Sequence, residues 1–346
     1  MALKVGIVRD GRFLLHQTGS EHPDRPARLK AVYRMLDKDF TEGLTFIEPE
    51  PATLEHLELV HTPAYIGKIL ATAEREATNL APDTPVSSQS YLAAWLAAGG
   101  CVKALQGLIS GRYDACFSLS RPPGHHAFPD RAGGFCIFNN IGIAARYALE
   151  RQGLQRVLIA DWDIHHGNAV QELFYDSKEV LYLSTHYLGW YPHTGDWDET
   201  GVGAGLGYTV NIPIPKDIGD EDIVYLYRSV LGPIFRKYRP ELVLVAAGFD
   251  GHFRDPVGRT RLTERAYMWL TALLIELRDA VRSPPILFCL EGGYDPGALT
   301  ACVREVLRVL TFTGRRTRVP TTATPRGVEL VKKVLEVHAN RHVWAQ

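Results

Sequence analysis

Short β-branched and aliphatic runs recur along this chain without the polar alternation of half-exposed strands. They are LKVGIV (3–8), DACFSL (114–119), RVLIADWD (156–163), VLYLSTH (180–186), YTVNIPI (208–214), LVLVAAGFD (242–250) and PILFCLEGG (285–293). A strand apolar on both faces needs cover on both faces, which is the condition of a parallel sheet between helices. Helical patterns lie between the runs: RPARLKAVYRMLDKDF, NIGIAARYALERQG, EDIVYLYRSVLGPIFRKY and TERAYMWLTALLIELRDAVRS. This alternation predicts a single α/β domain over residues 1–346. A Pro/Thr/Arg-rich connection (313–327) precedes a last amphipathic helix, VELVKKVLEVHANRH, whose basic residues read as a solvated face.

Polar, reactive side chains gather where these runs end: DWDIHH, STH, GFD and EGGY. In open parallel sheets ligands bind outside the carboxyl ends of the strands. Two pairs of adjacent histidines, His125/His126 and His165/His166, are among the 13 in the chain. A buried imidazole needs both nitrogens satisfied, so two such doublets at strand ends favour a function over packing.

Composition narrows the classes. Hydrophobic residues at 46% and charged residues at 22% are those of a folded globular chain. With 38 basic against 39 acidic residues, no global field attracts nucleic acid or an anionic membrane. The first residues lack the pattern of a secretory signal, and no run of 18 apolar residues is evident, so no membrane span is expected. Cys101, Cys116, Cys136, Cys289 and Cys302 are odd in number and contain no Cys-x-x-Cys. That spacing predicts reduced thiols in the cytoplasm and no thiolate zinc site.

Asp163 and His165, two apart on extended chain, project to one side. An acid with a neutral imidazole suits a borderline cation such as Zn²⁺, although the same pair also caps turns. Asp250, after a buried strand, is the candidate third ligand, with an N-cap or Asx-turn as its structural alternative. His125 and His126 offer acid–base chemistry at neutral pH. The glycines of AGGF (132–135) permit close backbone approach to a ligand. Gly292 and Gly293 permit a turn that would present the Tyr294 hydroxyl to a developing oxyanion.

Taken together, HPDRPARL, RPPGHHA, GGFCIFNN, DWDIHHGN, AGFD and LEGGY resemble the zinc-dependent histone deacetylase superfamily, which includes acetylpolyamine amidohydrolases and acetoin-utilisation proteins. The motifs stand in family order over about residues 20–312. Asn168 after His-His-Gly, where class I members carry Asp, resembles the class II-type bacterial enzymes. The resemblance implies an arginase-like fold with a mainly parallel eight-stranded sheet. It implies Asp163, His165 and Asp250 as zinc ligands and His126 as general base and then acid, oriented by Asn168. His125 with Asp161 would be the electrostatic companion, and Tyr294 would donate to the scissile carbonyl. Gly134 would accept the substrate amide through its carbonyl. Phe135 and Tyr191 would wall an acyl-lysine channel, with Arg28 at its inner end. A structural K⁺ would use Asp161, Asp163, His165, Ser184 and Thr185, partly through backbone oxygens. His166 is left as a structural hydrogen-bonder.

Polyamine-selective relatives often carry Glu just after the Asp-Pro that follows the last zinc ligand. Here that position is Val257, and the loop 78–90 is short, so the expected substrate is an acyl-lysine peptide or similar small acyl-amide, with acetylpolyamine the alternative. Asp83 on that loop would hold the substrate backbone. His252 and Phe253 stand where small residues are commoner, and would either narrow the rim or pack on a neighbouring loop. An arginase-type binuclear manganese hydrolase would need further bridging acids, and only one Asp-x-His cluster is present. A catalytically silent binding module conflicts with the filled motif positions. The sequence leaves oligomeric state open, a homo-oligomer included.

Overall fold

The computed structural model describes residues 3–187, 189–258, 260–312, 314 and 317–339. Its strands are β1 (Val5–Val8), β2 (Leu44–Ile47), β3 (Ala77–Ala81), β4 (Thr84–Ser87), β5 (Ala115–Ser118), β6 (Val157–Asp161), β7 (Val180–Tyr187), β8 (Thr209–Ile214), β9 (Leu242–Ala247) and β10 (Ile286–Leu290). Among the described residues, eight of them form one sheet in the order β2-β1-β5-β10-β9-β6-β7-β8, with every pair parallel. The other two, β3 and β4, make a separate antiparallel hairpin.

The unalternating runs have the predicted cause. Every residue of β5, β6, β8, β9 and β10 is buried, on both faces of the sheet. Helices Pro26–Asp39, Pro296–Thr311, Glu264–Asp279 and Asp220–Tyr238 pack side by side in one layer, extended by Pro325–His338, which also meets β8; Ser90–Ile109 and Asn140–Glu150 pack on each other and against the sheet. The last three residues of the expected C-terminal helix, Asn340, Arg341 and His342, lie outside the described residues.

Among the elements that escaped the sequence reading are β2, the hairpin β3–β4 and helix Ser90–Ile109. β2 (LTFI) is a sheet-edge strand of only four residues with its middle exposed, so it shows neither period. The hairpin β3–β4 lay in a segment read as a short loop. Helix Ser90–Ile109 is apolar nearly all round and so lacks a helical stripe. By length and composition alone it could cross a membrane, with mean hydropathy 1.4, yet 72% of that window is buried inside the protein. Its apolar surface is used by β1, β5 and β10.

That helix approaches its neighbours at two glycines. A Cβ on Gly99 would overlap the Glu50 carbonyl oxygen and lie 2.5 Å from the Ala52 nitrogen; one on Gly100 would lie 2.8 Å from Val8 Cγ1. Gly67, inside helix Pro63–Leu70, meets nothing within 4 Å. Gly99→Ala is therefore expected to destabilise the fold by about 1–3 kcal/mol or more. Gly67→Ala should stabilise it by roughly 0.5–1 kcal/mol, because only the helix-propensity term remains. Urea unfolding of the two variants measures both signs.

Candidate active site

In the sheet, β5, β10, β9, β6 and β7 are consecutive neighbours, so their carboxyl ends stand side by side. The segments that leave them carry His125 and His126 (after β5), Glu291 to Tyr294 (after β10), Asp250 (after β9), Asp163 and His165 (after β6) and Tyr191 (after β7). Residues more than a hundred positions apart in sequence thereby share one edge.

Asp163, His165 and Asp250 converge, with ligand-capable atoms all within 4.8 Å of one another and all three buried. His165 Nδ1 lies 3.0 Å from Asp163 Oδ1 and 2.9 Å from Asp250 Oδ2. Each carboxylate is also anchored by main-chain amides. Asp163 Oδ2 accepts from Gly292 N at 2.8 Å and its Oδ1 from His165 N at 2.9 Å, while Asp250 Oδ1 accepts from Ile164 N at 3.1 Å. Burial and the charge of Asp163 push the Asp250 carboxyl up to about 7. Burial disfavours the His165 cation, but Asp250 and Asp163 outweigh it and push its pKa up to about 10. Two buried anions sharing one proton are a charge excess that a divalent cation would offset. The two oxygen donors and one imidazole fit zinc with a coordination position left for water.

Glycines make room for this cluster. A Cβ on Gly292 would overlap Asp250 Oδ2 and come within 2.6 Å of Asp163 Oδ2.

The histidine doublet divides by partner. His125 Nδ1 is 3.2 Å from Asp161 Oδ2, and its Nε2 is 3.9 Å from Asp163 Oδ1. Burial works against its cation, but Asp163 and Asp161 prevail and push it up to about 10. His126 Nδ1 instead bonds Asn168 Oδ1 at 2.9 Å. Burial, His125 and His165 hold its pKa well below the ordinary histidine range. An amide oxygen only accepts, so Nδ1 carries the proton and Nε2 keeps a free lone pair. Asp161 is itself held by the Tyr182 hydroxyl at 2.9 Å.

Tyr294 is 7% exposed, its ring edge-on to Phe135 at 5.6 Å and under the Arg28 guanidinium at 5.0 Å. Burial and the charges of Asp250 and Asp163 push its phenol well above the ordinary range, which keeps it a proton donor. Tyr191 is 41% exposed and stands edge-on to His126 at 5.0 Å. Gly134 and Phe135 have positive φ of 56° and 68°, and a Cβ on Gly134 would overlap the His126 ring.

The remaining expected residues fall into place differently. Arg28 is fully buried and donates to the carbonyls of Gly293 (2.6 Å) and Glu291 (2.5 Å) and to Asp24 (2.9 Å). Asp83, in the β3–β4 turn, accepts from Gly134 N at 3.1 Å and from the Thr84 hydroxyl at 2.8 Å. The hydroxyls of Ser184 and Thr185 are engaged with His186 (2.9 Å) and Tyr227 (3.1 Å). His166 bonds Thr194 and Gln171, as a structural residue would. His252 is buried, 3.3 Å from Glu264, with Phe253 stacked on it at 4.7 Å, so packing on a neighbouring segment is what is seen.

Sequence reasoning missed Glu291, whose Oε2 accepts from Gly124 N (2.6 Å) and His125 N (3.2 Å) and so seats the doublet loop. Its burial and neighbouring carboxylates, against the pull of His125, raise it to about 7. A second buried trio among the described residues, His125, Cys136 and Glu291, is also close enough to hold an ion. An acid between an apolar strand and two glycines was the available signal for Glu291.

The model of the histone deacetylase domain family matches residues 22–310. A protein of Archaeoglobus fulgidus named “Probable deacetylase” is 36% identical over 298 residues, covering 85% of this chain and 82% of that one. “Histone deacetylase 15” of Arabidopsis thaliana is 36% identical over 340 residues, covering 95% of this chain and 61% of the longer plant protein. A crystal structure of an HDA15 HD domain superposes with a TM-score of 0.90 at 34% identity, covering 98% of this chain and 95% of that one.

If the cradle at Gly292 is required for the geometry of Asp163 and Asp250, Gly292→Ala should lower the divalent metal the chain retains severalfold relative to the parent. Elemental analysis of the purified variant, with circular dichroism as a folding control, measures this.

Proposed function

The chain belongs to the histone deacetylase family, and on that premise we propose that it is a zinc-dependent amidohydrolase that removes the acetyl group from acetyl-lysine in peptides or proteins. The observation that carries the proposal is the convergence of the buried Asp163, His165 and Asp250 side chains at the sheet edge that also bears His126 and Tyr294. Asp163, His165 and Asp250 would hold the zinc. When bound, zinc supplies Lewis acidity to the scissile carbonyl and acidifies the attacking water.

His126 takes the water proton at Nε2, since its Nδ1 proton is fixed on Asn168. It returns that proton to the leaving amine. His125 stays charged on Asp161 and helps keep His126 neutral until it is needed. This is the pattern in which neighbouring titratable groups are pushed apart to divide acid and base roles. Tyr294 donates to the oxyanion, and its donor state is secured by burial. Phe135 and Tyr191 would flank the approach, and the Gly134 carbonyl, which accepts from the Cys136 thiol at 3.3 Å, would use its second lone pair for the substrate amide. A structural K⁺ would draw on Asp161, Asp163, His165 and backbone oxygens near Ser184 and Thr185, because those two hydroxyls are engaged.

One feature favours a peptide over a polyamine: Val257 offers no charge to an ammonium tail. Competitive turnover of acetyl-lysine peptides against acetylated putrescine and spermidine, with zinc quantified in the same sample, tests the proposal. Preferred turnover of the polyamines would replace the substrate assignment, and failure of the zinc-loaded protein on every acylated amine would overturn the activity.

Two variants test the roles. Tyr294→Phe should cut kcat about 10²–10³-fold with zinc content intact. Asn168→Asp puts a carboxylate on His126 Nδ1 and raises the histidine pKa. The active form is neutral His126, so the acid limb of the pH–rate profile should move to higher pH. A profile that does not move would argue against His126 as the base.

A further inference from the structure

The segment after Asp250 and the segment that carries Tyr294 leave different strands, β9 and β10, and a single buried side chain ties them together. Asp255 is 1% exposed. Its Oδ1 accepts from Val257 N at 2.9 Å and Gly258 N at 3.3 Å. Its Oδ2 accepts from Tyr294 N at 2.6 Å and Asp295 N at 3.3 Å. All four donors are main-chain amides, and together they use the carboxylate's acceptor capacity.

The bonds at Oδ1 form an ordinary turn within the Asp255 loop and would suffice for it. The bonds at Oδ2 reach across to the neighbouring loop and include the shortest of the four. They matter because the Tyr294 loop has little stiffness of its own: Gly292 and Gly293 precede the tyrosine, and Gly293 sits at φ 113°. Around it, Arg28 takes the carbonyls of Glu291 and Gly293, and Asp163 takes the amide of Gly292. Only Asp255 takes the amides of Tyr294 and Asp295 among the described residues. The other links between the loops among the described residues are the Phe249 amide on the Gly292 carbonyl at 3.1 Å, two residues before the tyrosine, and Arg254 with Asp295 at 3.3 Å, which is half-exposed and correspondingly weak.

We propose that Asp255 is the positioning residue of Tyr294: it fixes the peptide planes on either side of the tyrosine's Cα and couples them to the loop bearing Val257. The inference rests on the assignment of Tyr294 as the oxyanion donor. Asp255 touches no reacting group and acts through the tyrosine, since a misplacement of about 1 Å can cost on the order of a hundredfold in rate.

The test is a double-mutant cycle on the full-length, zinc-loaded enzyme with an acetyl-lysine peptide. Asp255→Asn keeps the shape but turns an NH₂ group toward two of the amide donors. It should lower kcat about ten- to a hundredfold with KM changed less than about threefold. In the Tyr294→Phe background the same substitution should cost no more than about twofold, because the hydroxyl it positions is gone. Asp255→Glu, which retains the carboxylate, should recover part of kcat, and Arg254→Ala should stay within about twofold of the parent. Equal losses in both backgrounds, or unchanged kcat in a folded Asp255→Asn with full zinc, would overturn the proposal. If Asp255→Asn does not fold, the Asp255→Glu cycle is read by the same criteria. Tyr294→Phe turning over at the parent rate would instead refute the tyrosine's own role, so the two failures are distinguishable.

Discussion

The site depends on negative charge held out of water. Asp161, Asp163, Asp250, Asp255 and Glu291 are each at most 1% exposed, and they lie on strand ends that the sheet brings side by side. Isolated carboxylates in such a place would protonate or unfold the region. Backbone amides stabilise them first: Gly292 on Asp163, Ile164 on Asp250, Gly124 and His125 on Glu291. A divalent cation at Asp163, His165 and Asp250 would supply the remaining positive charge. Gly248 and Gly292 serve the same requirement by leaving room, since a Cβ on Gly248 would overlap the Asp163 carboxylate and one on Gly292 the Asp250 carboxylate.

The two adjacent histidines take opposite protonation states from this environment because their partners differ by one atom type. Asp161 is an anion and holds His125 charged, whereas the Asn168 amide oxygen fixes a tautomer without adding charge. His126 is then disfavoured as a cation by its own neighbour. The ring centroids are 3.9 Å apart, so a second positive charge there would meet strong repulsion. One buried imidazolium thus serves as the field that tunes the other imidazole.

Much of this was legible in the sequence because it depends on local pattern. The buried strands of the sheet centre announced themselves as unbroken apolar runs, and the reactive residues stood at their ends. Peripheral elements did not: β2 is too short and exposed to show a period, and helix Ser90–Ile109 is too uniformly apolar. Within the site, Asp163, His165 and Asp250 stood out by motif, while Asp255 and Glu291 did not. Both act by accepting from main-chain amides, and an amide donor has no signature in the identity of the residue that bears it. Asp83 shows the same limit from the other side, since its engagement with Gly134 depends on a hairpin that the sequence did not reveal.

That hairpin also sets the backbone of Phe135, a wall of the proposed acyl channel. Phe135 adopts φ 68°, a conformation that costs a non-glycine residue roughly 1–3 kcal/mol and persists only where the surroundings enforce it. The enforcement comes from the β3–β4 turn: Asp83 accepts from Gly134 N, and the Thr84 hydroxyl accepts from Phe135 N at 3.3 Å. His22 closes the other side, edge-on to the Phe135 ring at 4.6 Å and 3.3 Å from the Asp83 carbonyl. The wall's aromatic ring is therefore aimed by a small hairpin outside the main sheet. Under the proposed function, a change in that hairpin would alter which acyl carriers fit without touching Asp163, His165, Asp250 or the histidine pair.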